Sequence, residues 1–138
     1  MAGKVGLGVD VLTAARARIA RVFDDFPRVY VSFSGGKDSG VLYELAAQEA
    51  RTRGRRIGVL FVDLEAQYQL TIDYIRLMYQ RHADVTDPYW VALPLSLRNA
   101  VSQFEPQWLC WTCRSSTSGS NSAASLLGCS GCLFTFTS

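Results

Sequence analysis

The chain of 138 residues is long enough for one domain with a buried core. Hydrophobic residues make up 49% of it and charged residues 19%, as in a soluble globular protein, and the net charge of +2 is too small to indicate a nucleic-acid or membrane partner. No apolar run approaches the ~20 residues that cross a bilayer, and residues 1–8 lack the features of a secretory signal, so we expect a cytoplasmic protein.

A first helix is predicted from Asp10 to Phe26. Asp10 or Thr13 is a suitable N-cap residue, and Pro27 ends the helix because proline disfavours helical backbone in the residue before it. The apolar positions recur at helical spacing: Leu12, Ala15, Ile19, Val22, Phe23 and Phe26. We expect this helix to pack on one face of a sheet.

The first strand is predicted at residues 28–33. Val29, Val31 and Phe33 alternate with Tyr30 and Ser32. Because Tyr30 makes the second face aromatic, the pattern favours a central strand that is covered on both faces of a parallel sheet.

A turn and a second helix follow this strand. The helix is predicted from Ser39 to Arg53 and is closed by Gly54, a typical C-terminal glycine. Its expected buried stripe consists of Val41, Leu42, Leu45, Ala46 and Ala50. The arginines that crowd at its end are interpreted as a solvated helix end and turn: Arg51, Arg53, Arg55 and Arg56.

The remaining elements alternate in the same way. A covered strand at residues 57–62 ends in Asp63, and a helix at residues 67–81 has Leu70, Tyr74, Leu77 and Met78 as expected core positions. Residues 89–93 are a weaker strand candidate, and residues 96–104 are predicted as a short helix. Alternating strands and helices indicate an α/β fold with a parallel sheet.

Ligands of such sheets bind beyond the carboxyl ends of the strands. The turn Ser34–Asp38 follows the first strand and Asp63 ends the second, so both lie at that edge. The turn leads into a helix, whose first backbone N–H groups and positive dipole end favour an anion. The sequence therefore predicts a phosphate site at this edge.

The string Ser34-Gly35-Gly36-Lys37-Asp38-Ser39 differs from both the Walker loop and the dinucleotide fingerprint. Its glycines allow backbone to approach an anion closely, and its serines add hydroxyl donors. Asp38 is expected to cap the helix, to bind Mg²⁺, or both, because an unscreened carboxylate would repel phosphate.

This string resembles the PP-loop, Ser-Gly-Gly-x-Asp-Ser, of the ATP pyrophosphatases and the phosphoadenosine phosphosulfate (PAPS) reductases. The chain is most similar to a bacterial PAPS reductase-like family over about residues 8–111, on the stretches 30–40, 58–68 and 87–101. The resemblance implies an adenine nucleotide α-hydrolase-like, Rossmann-like fold, a parallel sheet with helices on both faces, present here in incomplete form.

The resemblance also implies the site. Phosphates or sulfate of ATP or PAPS would be held by Ser34, Gly35, Gly36, Asp38 and Ser39, with Lys37 at the variable position of the same loop. Phe61, Val62 and Asp63 would lie near the adenine and ribose. Leu64-Glu65 replaces the Thr-Gly of PAPS reductases after this strand, which leaves substrate recognition open.

The cysteine nucleophile of PAPS reductases, in a Cys-Gly-x-His string, has no counterpart here. His82 is interpreted as an exposed helix-end residue rather than a catalyst. The predicted function is therefore adenine nucleotide or sulfonucleotide binding, with the sulfur-transfer (oxidoreductase) or adenylyl-transfer chemistry of the intact family. The alternative is a regulatory nucleotide-binding module without catalysis.

The composition changes after Trp111, because Arg114 is the last charged residue of the chain. We therefore divide the chain into a nucleotide-binding domain at 1–111 and a low-complexity tail at 112–138. Cys110, Cys113, Cys129 and Cys132 match a zinc-site spacing, C-x₂-C-x₁₅-C-x₂-C, and could also hold an iron–sulfur cluster. A metal-ribbon interaction protein is thus a third function, while a frameshifted or truncated end would make the spacing accidental. We assign no metal ligand.

Overall fold

The computed structural model describes residues 8–101, residues 103–111 and the backbone of residues 133–135. Three helices and six strands are present in these ranges. The helices are α1 (Val11–Asp25), α2 (Lys37–Thr52) and α3 (Gln69–Arg81). The strands are β1 (Tyr30–Ser32), β2 (Ile57–Asp63), β3 (Thr86–Ala92), β4 (Leu95–Arg98), β5 (Gln107–Cys110) and β6 (Leu133–Thr135). Among the described residues, no helix is long and apolar enough to cross a membrane.

The main sheet has the strand order β1-β2-β3-β6. The first three strands are parallel, with α2 and α3 as the connections between them, and β6 pairs antiparallel to β3. This α/β arrangement, a three-stranded parallel sheet flanked by helices, confirms the predicted fold class. Asp10 caps α1 as expected, since its carboxylate accepts the backbone N–H of Thr13 at 2.9 Å.

One face of the sheet carries the core. Val31, Val59 and Phe61 are buried there against residues of the helices such as Tyr43 and Ile75. On the alternate face, which was also expected to be covered, Tyr30 is 60% exposed and Val62 is 37% exposed.

The expectation that the first strand is central is wrong, because β1 ends the strand order within the described part of the chain. Tyr30, the aromatic residue of β1, does not mark a covered strand. A Cβ on Gly58 would lie only 2.2 Å from the ring of Tyr30, and the rings of Tyr30 and Tyr89 are 6.0 Å apart. Tyr30 therefore lies across the glycine of the neighbouring strand and beside a second tyrosine.

The buried face of α2 was predicted only in part, since Ala46 and Ala50 are buried as expected. Val41 and Leu42 are 60% and 46% exposed, whereas Tyr43 and Ala47 are fully buried. The hydroxyl of Tyr43 is 2.8 Å from Thr86 Oγ1 in β3. Since this polar tip has a partner across the core, the tyrosine can be buried there at no cost in unpaired hydrogen bonds.

The core positions of α3 were predicted only in part. Met78 is buried and Tyr74 is half-buried, but Leu70 is 83% exposed and Leu77 is 59% exposed. Ile75, which the predicted stripe omits, is completely buried. The helix therefore turns a neighbouring face towards the sheet.

The short helix predicted at residues 96–104 is wrong. β4 and β5 form an antiparallel hairpin in which Leu95 is opposite Cys110. Its turn is closed by the backbone bond from the N–H of Asn99 to the carbonyl of Pro106, and the Asn99 side chain accepts the N–H of Val101 at 3.0 Å. This side chain to backbone bond stabilises a turn in place of a helix.

The interpretation of the arginines at the end of α2 as a solvated cluster holds only in part. Arg51 and Arg56 are exposed, but all four arginines are hydrogen-bonded within the protein. Arg55 donates to the carbonyls of Phe23 and Phe26, and Arg56 donates to those of Asp84 and Thr86. Five donors in a fixed fork allow arginine to satisfy several carbonyls at once. These residues tie the end of α2 to α1 and to the start of β3.

Candidate functional site

The loop at residues 34–39 begins beside the end of β2. Ser32 lies opposite Leu60, and the N–H of Phe33 donates to the carbonyl of Leu60 at 2.8 Å. Continuing this register places Ser34 opposite Val62, one residue before Asp63, at a strand spacing of about 4.8 Å. The predicted loop and Asp63 therefore lie at one edge of the sheet.

Gly35 makes the turn possible for two reasons. Its φ of 76° lies in the left-handed region, which disfavours residues with a Cβ. In addition, a Cβ at this position would lie 2.7 Å from Thr71 Cγ2 and 3.0 Å from Ile75 Cδ1. The loop therefore packs directly on the first turns of α3.

Two serine hydroxyls lie beside the turn. Ser34 Oγ and Ser39 Oγ are 3.1 Å apart, and Ser39 Oγ donates to the carbonyl of Gly36 at 3.0 Å. A Cβ on Gly36 would lie 3.5 Å from Ser34 Oγ, in ordinary contact without a clash. The space over Gly36 between the two hydroxyls is therefore open.

The first turn of α2 presents free backbone donors. Gly36 is the N-cap and contributes no side chain, and the first intrahelical bond runs from the N–H of Gly40 to the carbonyl of Gly36. Within the described ranges, no hydrogen bond satisfies the N–H groups of Lys37, Asp38 and Ser39. Such unpaired donors at the positive end of a helix are suited to an anion.

Asp38 is not the helix N-cap, contrary to expectation. The helix starts at Lys37, so Asp38 is its second residue and lies within the first turn. Asp38 and Lys37 are both exposed, and neither side chain has a hydrogen bond or an ion pair in the part of the chain that the structure describes. Both charges are therefore available to a ligand.

The residues at the end of β2 are largely committed to the protein itself. Phe61 is 1% exposed and packs edge-on against Trp90, with ring centroids 4.8 Å apart. Asp63 is 8% exposed, and its carboxylate accepts Trp90 Nε1 and the N–H of Glu65, both at 2.9 Å. Val62 points to the alternate face.

Trp111 also contacts this end of β2, a connection that the sequence did not predict. Its indole N–H donates to the main-chain oxygen of Asp63 at 2.8 Å, and its backbone N–H donates to Glu65 Oε2 at 2.8 Å. Trp111 and Asp63 are 48 positions apart, so no local sequence pattern links them. These bonds connect the hairpin β4–β5 to the edge of the sheet at which the loop and Asp63 lie, here called the site edge.

A cleft of about 820 Å³ lies between α2 and α3 and starts at the loop. Lys37 and Gly40 line one end, Tyr74 and Met78 line the middle, and Arg81 lies at the other end. The cleft is thus continuous with the exposed first turn of α2.

His82 is buried, so its interpretation as an exposed helix-end residue is wrong. It is 1% exposed, with Nδ1 2.9 Å from Arg51 Nη2 and Nε2 2.9 Å from Glu44 Oε2. Because a guanidinium only donates, Nδ1 accepts and Nε2 carries the proton donated to Glu44. Although burial acts to raise the pKa of Glu44, the bonds and charges of Gln48, His82 and Arg81 lower it overall.

Two tyrosines in the core have shifted acidities. Burial raises the pKa of Tyr43 to about 12, and burial raises the pKa of Tyr79 as well. Both phenols therefore stay neutral at physiological pH, and they act as hydrogen-bond partners and packing groups.

Cys110 is a buried free thiol with no exposed surface. The other three cysteines of the zinc-like spacing, Cys113, Cys129 and Cys132, lie outside the described residues. Within the described ranges no group of three or more potential ligands could hold a metal ion. The cysteine hypothesis thus stays a prediction.

Comparison with known proteins identifies the central part of the chain. Residues 28–89 match the family model of the phosphoadenosine phosphosulfate reductase domain. The chain is also 49% identical over 109 residues to "Uncharacterized protein YbdN" of Escherichia coli (strain K12). That alignment covers 78% of this chain and 27% of YbdN, so the chain spans about a quarter of the length of this relative.

The matched region contains β1, the loop, α2, β2 and α3, together with the start of β3. The predicted resemblance is confirmed for this region, and the name of the family links it to the chemistry of a sulfonucleotide. Residues 28–89 thus match the phosphoadenosine phosphosulfate reductase domain, which belongs to the PP-loop superfamily.

Proposed function

We propose that this chain binds an adenine nucleotide or sulfonucleotide, ATP or PAPS, with its phosphates or sulfate at Ser34–Ser39. The observation that carries the proposal is the set of unpaired backbone N–H groups of residues 37–39 at the start of a 16-residue helix, beside two serine hydroxyls. The N-terminus of a helix carries about half a positive charge. The exposed side chain of Lys37 adds a full positive charge.

Asp38 requires a compensating cation if phosphates bind beside it. Its carboxylate is exposed and unpaired among the described residues, and carboxylate oxygens suit Mg²⁺, which prefers hard oxygen ligands and substrate phosphates. Asp38 thus fits a Mg²⁺ ion, which would supply charge neutralisation for the phosphates.

In catalysis, the loop would stabilise negative charge that develops on a leaving pyrophosphate or sulfo group. Preorganised N–H donors do this best where charge increases in the transition state. The Ser34 and Ser39 hydroxyls lie 3.1 Å apart, so both would offer donors to a ligand above Gly36. This role serves both sulfur transfer and adenylyl transfer, the chemistry that we expect of the intact family.

A regulatory module without catalysis is the second candidate. Within the described part of the chain, the two residues best suited to act as a nucleophile or base are inaccessible. Cys110 is fully buried, and both ring nitrogens of His82 are already hydrogen-bonded. An attacking group would therefore come from a substrate, a partner protein or a region outside the described residues.

The decisive test is calorimetric titration of ATP and PAPS into the wild-type chain and the Gly36→Ala variant. The added methyl group would fill the open space over the loop without a clash, so we expect at least about tenfold weaker binding. The unfolding temperature should fall only slightly, because alanine is a poorer N-cap residue than glycine. Lys37→Ala should weaken binding, while Arg18→Ala, an exposed charge on α1, should not.

The results separate the candidates. If neither nucleotide binds the wild-type chain at millimolar concentration, the proposed function is wrong. If Gly36→Ala binds as tightly as wild type, the ligand site is elsewhere. Product analysis then decides on catalysis, since AMP and pyrophosphate would establish an ATP pyrophosphatase, and binding without turnover would establish the module.

A further inference from the structure

Trp111 is held at the site edge in an unusual backbone conformation. Its φ is 50°, and Glu65, which accepts its backbone N–H, has a φ of 66°. These are the positive-φ residues other than glycine among the described residues. Large residues rarely adopt this conformation, and where it persists it often belongs to a functional site. The two residues with this conformation are thus hydrogen-bonded to each other.

The indole of Trp111 is fixed at its edge by a hydrogen bond and has no aromatic or cationic partner among the described residues. The indole N–H donates to the Asp63 carbonyl at 2.8 Å, the residue is half-buried, and no aromatic ring or cation contacts the indole in the described part of the chain. Trp90 differs, since Phe61 packs against its ring and the Arg76 guanidinium lies 5.9 Å from its centroid. Within the described residues, Trp90 thus has an aromatic and a cationic partner, and Trp111 has neither.

The location of Trp111 is appropriate for the base of a nucleotide. It is bonded to Asp63, the last residue of β2, while the phosphate loop starts opposite Val62 on the neighbouring strand. The loop and the indole therefore lie along the same edge of the sheet. A nucleotide with its phosphates over Gly36 would extend its base along this edge.

We propose that Trp111 is the stacking platform for the purine base of the bound nucleotide, an inference that rests on the proposed function. The residues that the sequence placed near the adenine then have a supporting role. Phe61 is buried, and the Asp63 carboxylate holds Trp90 and the N–H of Glu65. Together they form the frame on which the indole of Trp111 is fixed.

The experiment compares Trp111→Phe with Trp111→Leu. Both variants lose the indole N–H and fill similar space, but only phenylalanine can stack on a base. Affinities for ATP and for inorganic tripolyphosphate, which has no base, are measured by calorimetry. We expect Trp111→Leu to bind ATP about 5- to 50-fold more weakly than Trp111→Phe, and both to bind tripolyphosphate like wild type. Trp108→Ala, in β5, is the matched control and should bind both ligands normally.

The tripolyphosphate measurement distinguishes a failure of the proposed function from a failure of the stacking role of Trp111. If wild type binds neither ligand, the proposed function fails and this inference fails with it. If wild type binds both but Trp111→Leu and Trp111→Phe bind ATP equally, the phosphate site stands and the stacking role is wrong. Equal weakening of both ligands in Trp111→Leu would also overturn it, because the tryptophan would then support only the loop.

Discussion

The hydroxyl oxygen of Tyr74 in α3 lies 2.5 Å from the point that a Cβ on Gly40 of α2 would occupy. Gly40 is buried in the first turns of α2, directly behind the loop at residues 34–39. The absence of a side chain there allows the two helices to approach each other closely. This contact therefore positions the start of α2, and with it the unpaired N–H groups of the loop.

Gly40→Ala should destabilise the protein by about 1–2 kcal/mol, because overpacking outweighs the ~1 kcal/mol that alanine gains over glycine in a helix. In a Tyr74→Phe background the nearest remaining ring atom is 3.5 Å away, so the same substitution should be neutral or stabilising. Urea unfolding of the four proteins in a double-mutant cycle measures this difference. An equal cost in both backgrounds would show that the hydroxyl is not the obstacle.

Gly35→Ala should be more damaging than Gly54→Ala, although both glycines have a positive φ, 76° and 59° respectively. Left-handed backbone alone costs about 1–2 kcal/mol for alanine. At Gly35 the methyl group would also meet Thr71 and Ile75, whereas nothing lies within 4 Å at Gly54. This overpacking should add about 1–3 kcal/mol.

The Gly35 substitution should also weaken nucleotide binding, since it displaces the loop, whereas Gly54→Ala should leave affinity unchanged. Thermal unfolding and calorimetric titration of both variants test these expectations. Equal loss of stability at the two positions would mean that the loop does not pack on α3 as described.

The loop and β2 could be predicted because their signals are local. A string of glycine, serine and aspartate between an apolar strand and a helix specifies the turn by itself, and β2 ends at Asp63 as expected. The buried faces of the helices could not be predicted as well. Tyr43 is in the core because of Thr86, a partner 43 residues away, and periodicity carries no information about such a partner.

Long-range contacts also explain the other predictions that were wrong. His82 is buried because Glu44 and Arg51, more than thirty residues earlier, satisfy both of its nitrogens. The hairpin at residues 95–110 depends on pairing between two short segments, and neither shows a strand pattern strong enough to outweigh a helical one. Trp111 reaches Asp63 across 48 residues, so its position beside the end of β2 is visible only in the fold.

His82→Ala should lower the free energy of unfolding by about 2–4 kcal/mol, since a buried ring and two hydrogen bonds are lost. Nucleotide affinity should stay near that of wild type, because the histidine serves the packing of α2 against the end of α3. Gln80→Ala, at a nearby exposed position of α3, should change stability by less than about 0.5 kcal/mol. A fall in affinity at unchanged stability would instead assign His82 to the site.

The stability of the fold should fall in alkaline solution as Tyr43 ionises. Burial raises the pKa of Tyr43 from 10.0 to about 12, so the folded state favours the neutral phenol. Its contribution is fully present below pH 10, where the unfolded chain is also neutral, and is lost as the pH rises from 10 to about 12.

Tyr43→Phe removes this titration. The variant should be about 1 kcal/mol less stable at neutral pH, because Thr86 loses its partner, but its stability should decline less steeply above pH 10. The decline should not vanish, because burial raises the pKa of Tyr79 as well. Urea unfolding at a series of pH values up to about 12 measures both slopes. Identical slopes in the variant and the wild type would mean that Tyr43 ionises as readily in the folded protein as in the unfolded chain.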